Sequence, residues 1–394
     1  MKAKLFFLRS FFSVITLVAA GWFAAVSFGA EKAADGWRAL FNGKDLSGWV
    51  PVQVAPNTFT VRDGMIVSTG VPTGVMRTDR QYENFELELE WKHIVPQGNA
   101  GLFVWSYPIT AVGQPFTKSI EVQILDGRNG ETYTSHGDIF SIHGARMKPD
   151  RPHPKGAERC LPSEWRCKPA GEWNHYRVVC SNGVVKLSVN GKEVSGGSEC
   201  TPRKGYICLE SEGTECHFRN IRIKELPSTN PKPEEIAPEA EGFVSIYNGL
   251  NLDGWTTKAP EHWKAKDWVL QHDGAVPPPA HLWYEKPLEG FTMILDWRVV
   301  DKNAAQRVGL FVRVPDGKLG FGREDLITLK SDRKPGEWNR SIITVSGDTI
   351  KVLLNDRPTS DWGPVTDGLP QRGQIGLQAQ PHAVEFGNIY IREK

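Results

Sequence analysis

Ser119-Ile-Glu-Val-Gln-Ile-Leu-Asp126 sets groups capable of chemistry on one side of an extended segment. Strand alternation puts Ile120, Val122 and Ile124 on one face and Glu121 and Gln123 on the other. A carboxylate and an amide two residues apart suit hydrogen bonding to vicinal hydroxyls, or removal of a proton from carbon. A solvated strand face would carry the same residues, so the neighbours matter. After Asp126 comes a long irregular run with His136-Gly-Asp138, His143-Gly-Ala-Arg146 and Arg151-Pro-His153. Long loops in compact domains tend to be functional or disordered. His136, Asp138 and His143 are the types that bind a divalent cation, at a spacing that matches no stereotyped motif. Glu210-Ser-Glu212 adds two acids further on.

These residues sit in a module written twice. Phe41-Asn-Gly-Lys-Asp-Leu-Ser-Gly-Trp49 recurs as Tyr247-Asn-Gly-Leu-Asn-Leu-Asp-Gly-Trp255, 206 residues later, and Gly101–Val104 recurs as Gly309–Val312, 208 later. Gly171-Glu-Trp-Asn174 returns as Gly336-Glu-Trp-Asn339 after only 165, and Phe218–Ile221 as Phe386–Ile389 after 168. The first copy therefore holds about 43 extra residues between Val104 and Gly171, where most of the unusual chemistry lies. The second copy has no Glu-x-Gln; Asp325-Leu-Ile-Thr-Leu-Lys330 stands roughly in its place, and Gln378-Ala-Gln380 replaces Glu210-Ser-Glu212.

Strand signals dominate both copies. Phe85-Glu-Leu-Glu-Leu-Glu-Trp91 alternates strictly, and Phe291-Thr-Met-Ile-Leu-Asp-Trp297 is its counterpart. Asn182-Gly183 and Asn190-Gly191 read as hairpin turns. No segment after the N-terminal run has the period of an ordinary amphipathic helix. The division expected is 1–30 as signal, 35–226 as first sandwich, 227–240 as a Pro-rich linker, and 241–394 as a second, shortened sandwich.

The first thirty residues have the pattern of an export signal, with Lys2, Lys4 and Arg9 before the apolar Phe11–Val26 and small residues near Ala30. An uncleaved anchor is the alternative. Removing these three cations takes the net charge from +1 to −2. Such a balance gives no electrostatic case for nucleic acid or an anionic membrane, and no later apolar run is long enough to span one. The expectation is a periplasmic or secreted protein. All six cysteines, Cys160 to Cys216, cluster in the first copy, which in an exported chain reads as disulfides. There is no Gly-x-Ser-x-Gly, His-Glu-x-x-His, phosphate-cradling loop or EF-hand spacing.

The ordered motifs resemble the 3-keto-disaccharide hydrolase domain family, whose pattern is Phe-Asn-Gly-Lys-Asp-Leu-x-Gly-Trp, Asn-Ser-Gly-x-Phe-Phe-Arg, Glu-x-Gln-Ile-x-Asp, Gly-Glu-Trp-Asn, Asn-Gly and Phe-Arg-Asn-Ile. Here they stand as Phe41–Trp49, Asn99–Trp105, Glu121–Asp126, Gly171–Asn174, Asn190-Gly191 and Phe218–Ile221. The resemblance implies an all-β chain of two concanavalin A-like jelly-roll sandwiches in tandem, with a saccharide site on a concave sheet face. Two departures stand out: the family's Arg is Trp105 in copy one but Arg313 in copy two, and copy two lacks Glu-x-Gln. The resemblance therefore implies activity in copy one alone.

A ketone at C3 of a sugar acidifies the C2 hydrogen, and the C1 substituent is then β to the carbanion. Paired carboxylates around an oxocarbenium-like centre are not needed for that chemistry. A base near its working pKa and a stabiliser for the enolate oxygen are. Glu121 or His143 is the expected base, and Arg146 or a bound divalent cation the stabiliser. Asn99, Trp105, Gln123, Asp126, Trp173, Asn174, Glu210 and Glu212 are the expected sugar contacts; His136 and Asp138 are the candidate metal ligands. Hydrolysis, and elimination followed by hydration, both fit. The competing readings are a non-catalytic two-module glycan binder and an adhesion scaffold. An enzyme requires Glu121 close to a His, an Arg or a second acid; a binder would show amides and aromatics.

Overall fold

The computed structural model describes residues 35–126, 136–154, 156–275, 280–315, 326–359 and 370–394; residues 1–30, expected as a signal, and Asp325 lie outside them. Every strand pairing within the sheets is antiparallel, and the only described helices are single turns at Pro233–Glu235 and Pro260–His262. No described helix is long and apolar enough to cross a membrane.

Each copy is a two-layer sandwich. In copy one the back sheet centres on Phe85–His93, flanked by Asn174–Ser181 and Cys216–Glu225. Its alternation works as its sequence demands. Phe85, Leu87, Leu89 and Trp91 fill the core, while Glu86, Glu88 and Glu90 face outward and pair with Arg177 (2.7 Å), Arg222 (2.6 Å) and Arg219 (2.6 Å). The front sheet runs Arg159–Cys160, Ile139–Ile142, Ser119–Gln123, Gly101–Ser106, Tyr206–Ser211, Gly74–Thr78, Trp49–Val52. Among the described residues copy two has eight strands behind, around Phe291–Val299, and five in front.

The repeated motifs are turns and corners. Asn42 Oδ1 accepts from Lys44 N (2.7 Å) and Asp45 N (3.0 Å), as Asn248 Oδ1 does from Leu250 N (2.8 Å) and Asn251 N (3.0 Å). Trp49 Nε1 donates to Leu40 O, and Trp255 Nε1 to Ile246 O. The strand bearing Glu121 has its counterpart in copy two, where the sequence set Asp325–Lys330. Leu326–Lys330 occupies its place, and what the extra residues add is two edge strands in front and Arg146–Pro149 behind.

The copies dock front to back. The front face of copy one, with Val52, Val75, Phe103 and Cys208, packs against Ile294, Ile342 and Tyr390 on the back sheet of copy two. Residues 227–240 run as a strap along copy one: Gln81 Nε2 donates to Ala237 O (2.8 Å), and Arg203 pairs with Glu235 (3.0 Å). The six cysteines are free thiols, which corrects the disulfide expectation. Five are buried on sandwich strands, where they fill space as small apolar side chains. Burial pushes the thiols of Cys200 and Cys208 up to about 12.

Candidate functional site

Two carboxyl groups meet over one glycine on the front sheet of copy one, with a third beside them. Register sets Phe103 opposite Glu121, Gly101 opposite Gln123, and Leu102 opposite Leu209, so Glu210 falls beside Gly101. A Cβ on Gly101 would come within 2.6 Å of Glu210 Oε2 and 3.1 Å of Glu121 Oε1. Only a glycine leaves that space. The two carboxyls therefore lie within about 6 Å, a range in which like charges resist joint ionisation. Glu212 lies beyond Glu210, hydrogen-bonded by Asn99 Nδ2.

Burial controls the electrostatics. Glu121 is pushed up to about 8, first by burial, then by Glu212, with Arg159 pulling it back and Asp138 adding to the rise. Burial, then Glu121 and Glu212, holds Glu210 well above the usual carboxylate range, and its Oε2 meets no donor. Glu212 is raised by burial, while its bond with Glu210 lowers it and Asp267 of copy two raises it. Across the next strands Arg159 completes the row. It is buried, pairs with Asp138 at 3.1 Å, and its guanidinium sits 3.6 Å over the ring of Phe140, the residue opposite Glu121. The site thus holds a carboxyl pushed up to about 8, a second held well above the usual carboxylate range beside it, and the Arg159 cation.

The sequence-derived residues fall into three groups. Glu121, Gln123, Glu210, Glu212, Asn99 and Asp138 come together; Gln123 is buried beside Gly101, its Oε1 accepting from Ile124 N (2.9 Å). Asp126 and His136 form a separate buried cluster at the sandwich end, 3.9 Å apart, near His93 and Trp91. The others do structural work. His143 is three residues along the strand from Phe140, roughly 10 Å, and stacks on Phe116 (6.3 Å). Arg146 is exposed and paired with Glu158 (2.7 Å), so the guanidinium near Glu121 is Arg159 instead. Trp173 lies on the back face between Arg219 (3.9 Å) and Lys92 (4.9 Å). Asn174 Oδ1 accepts from Lys168 N (2.7 Å) and Asn190 Nδ2 (3.0 Å), a corner that Asn339 repeats with Ser331 and Asn355.

Trp105 is a fully buried core residue, not an aromatic platform. Its Nε1 donates to Glu83 O at 2.7 Å; in copy two Arg313 Nε donates to Glu289 O, the equivalent carbonyl. Both residues sit at a bulge with positive φ, 54° and 50°. The exchange of Arg for Trp thus preserves one structural hydrogen bond and leaves the carboxylates untouched.

Among the described residues no group of three His, Cys, Asp or Glu side chains has the geometry to hold a metal ion. His136 turns to Asp126 and Asp138 to Arg159.

The model of the 3-keto-alpha-glucoside-1,2-lyase-like domain matches residues 36–224, 242–326 and 323–392. The chain belongs to this family. A 3-keto-disaccharide hydrolase of Bacteroides thetaiotaomicron is 25% identical over 246 residues, covering 49% of this chain and 79% of the relative. A crystal structure from Parabacteroides distasonis, provisionally described as a glycosyl hydrolase, is 24% identical with a TM-score of 0.36, covering 50% of this chain and 96% of that one. A carbohydrate binding module of Bacillus subtilis is 10% identical with a TM-score of 0.33, covering 45% and 96%.

Both copies of the 3-keto-alpha-glucoside-1,2-lyase-like domain keep the scaffold, but only one keeps the acids. Phe311 is opposite Leu326 and Leu310 opposite Leu377, so Leu326, Gln378 and Gln380 stand where copy one has Glu121, Glu210 and Glu212. Gly309 is kept, its added Cβ falling 2.1 Å from Gln378 Oε1.

Proposed function

We propose that the chain cleaves glycosidic bonds of 3-keto-disaccharides or 3-keto-glycosides through its first copy. The observation that carries this reading is the cluster of Glu121 and Glu210 over Gly101 with Glu212 beside them, each replaced by an uncharged residue in the second copy. A sugar-binding face needs amides and rings; three buried carboxyls, each raised above the ordinary range, are costly unless a proton must move. The family and the Bacteroides relative support glycosidic-bond chemistry of the 3-keto-disaccharide hydrolase-like kind.

In this mechanism Glu121, ionised near pH 8, takes the C2 proton that the C3 ketone acidifies. Negative charge moves to the C3 oxygen, where the buried Arg159 is the nearby cation. Glu210, kept protonated, delivers its proton to the departing C1 oxygen, leaving a C1=C2 double bond conjugated to the ketone. Water then adds at C1, giving one proton to the Glu210 carboxylate, and the proton held by Glu121 returns to C2, so both acids regain their starting states. The sum is hydrolysis; stopping before water addition is a lyase reaction. Export, suggested by Lys2, Lys4, Arg9 and the apolar run after them, is part of the proposal. An N-terminus near residue 31 on protein recovered outside the cytoplasm would test it.

The test of activity is product release from 3-keto-trehalose and related keto-disaccharides by wild type, Glu121→Gln and Glu210→Gln, with and without EDTA. Turnover lost in folded variants is expected. Saccharide binding without turnover in the wild type would leave a two-module glycan binder. EDTA sensitivity would mean a cation is needed.

A further inference from the structure

The segment between Gly101–Ser106 and Ser119–Gln123 is a hairpin that stands off copy one and ends inside copy two. Its arms are joined by Tyr107 N to Lys118 O (2.9 Å) and Ala111 N to Phe116 O (2.8 Å). Its tip lands on a polar cluster in the centre of copy two's back sheet. Gly113 N donates to Asp296 Oδ2 (2.8 Å), and Arg340 Nη2 donates to Thr110 O (3.0 Å). Asn388 Nδ2 lies 3.0 Å from Ala111 O, 3.0 Å from Gln114 O and 2.7 Å from Asp296 Oδ2. Arg340 Nε bonds Asp296 Oδ1 at 2.7 Å, and Thr110 Oγ1 meets Tyr390 OH at 2.9 Å.

Thr110, Gly113, Asp296, Asn388 and Tyr390 are buried and Arg340, Ala111 and Gln114 half-buried, so the contact is costly to open. It also leads back to the carboxylates. Phe116, on the returning arm, packs edge-on to Phe103 (5.8 Å) and flat on His143 (6.3 Å), and Phe103 is the residue opposite Glu121. A second tie lies nearby, where Asp267 Oδ1 of copy two accepts from Thr73 N (2.7 Å).

We propose that copy two is a clamp for the catalytic face of copy one: Asp296, Arg340 and Asn388 hold the 107–118 hairpin, whose Phe116 fixes the strand that carries Glu121. The inference rests on copy one being the catalytic domain, and makes these three positioning residues for it. A base displaced by an ångström loses orders of magnitude in rate while the substrate still binds. The clamp therefore acts on kcat more than on KM.

The test opens the clamp from both sides in the full chain. Asn388→Gly removes the amide and retains the backbone, since glycine accepts its φ of 49°. Gly113→Ala acts from the hairpin, where an added Cβ would lie 2.3 Å from Trp338 Cγ. Asn220→Gly is the matched control, because Asn220 occupies the equivalent place on copy one's back sheet at φ 52°. Expected for the first two are kcat at least tenfold lower, KM within threefold, and amide exchange in 107–123 at least tenfold faster, with the copy-two strands still protected. The double variant should be no worse than the poorer single one, because both release the same hairpin. Unchanged exchange in 107–123, or loosened exchange with wild-type kcat, overturns the clamp. Wild type without turnover would instead sink the catalytic reading, so the two failures are distinguishable.

Discussion

Replacing Glu121 by Gln should abolish turnover and stabilise the protein, with a gain that grows with pH. The folded carboxyl titrates at about 8 against an ordinary 4.5. Below about 4.5 both folded and unfolded chains hold the proton, so this group adds no pH dependence. Between 4.5 and 8 only the folded chain holds it, and stability falls as pH rises, by at most about 1.4 kcal/mol per unit. Above 8 the penalty is complete, on the order of 4–5 kcal/mol if nothing relaxes. Gln carries no such penalty, and its neutral side chain also relieves Glu210. The variant's advantage should widen by roughly 2 kcal/mol between pH 5 and pH 7. Urea midpoints of both proteins at pH 5, 6, 7 and 8, followed by near-UV circular dichroism, measure this directly. Parallel pH curves would refute the reasoning, for they would mean that Glu121 ionises in the fold as freely as in water.

Four further outcomes follow from the geometry. Arg159→Met removes the cation that lowers the Glu121 pKa, so the acid limb of the kcat/KM profile should move to higher pH by a unit or more; an unmoved limb would dissociate Arg159 from the base. Gly101→Ala should cut activity more than tenfold at a stability cost of about 1–3 kcal/mol, read by kinetics and thermal melts, because its Cβ displaces both carboxyls. Trp105→Arg should melt within a few degrees of wild type and keep its turnover, as Arg313 does the same job in copy two, whereas Trp105→Ala should lose about 3–5 kcal/mol. Alkylation in denaturant without reductant should label all six cysteines by mass; fewer labels would restore the disulfide reading.

Much of this molecule is legible in its sequence because strands with one buried face must alternate. Phe85–Trp91 announces its core face, and the repeat offsets locate the extra segment. Glu121, Glu210 and Glu212 are equally readable, since the second copy shows which acids the scaffold can do without. Arg159 was missed for a physical reason. Its place depends on a two-residue strand, Arg159–Cys160, pairing with Ile139–Ile142 across an irregular loop, and no local period marks it. Trp105 and Trp173 misled in the opposite way, since a tryptophan's type does not tell a sugar platform from core or back-face packing. The docking of the copies did have a signal. Glu86, Glu88 and Glu90 on copy one correspond to Thr292, Ile294 and Asp296 on copy two, a charged face turned into one fit for burial.

That same contrast limits how far the architecture can grow. A front-to-back contact is heterologous: each molecule is left with one unused surface of each kind, and a contact that repeats without closing makes a filament. Continuing this array would require the back sheet of one molecule's first copy to enter the front of another's second. Its glutamates, already committed to Arg177, Arg222 and Arg219, would have to leave water together. The desolvation of those ion pairs opposes the step. A row of salt bridges of little worth to stability thus serves as a terminator, keeping a self-complementary module to two units.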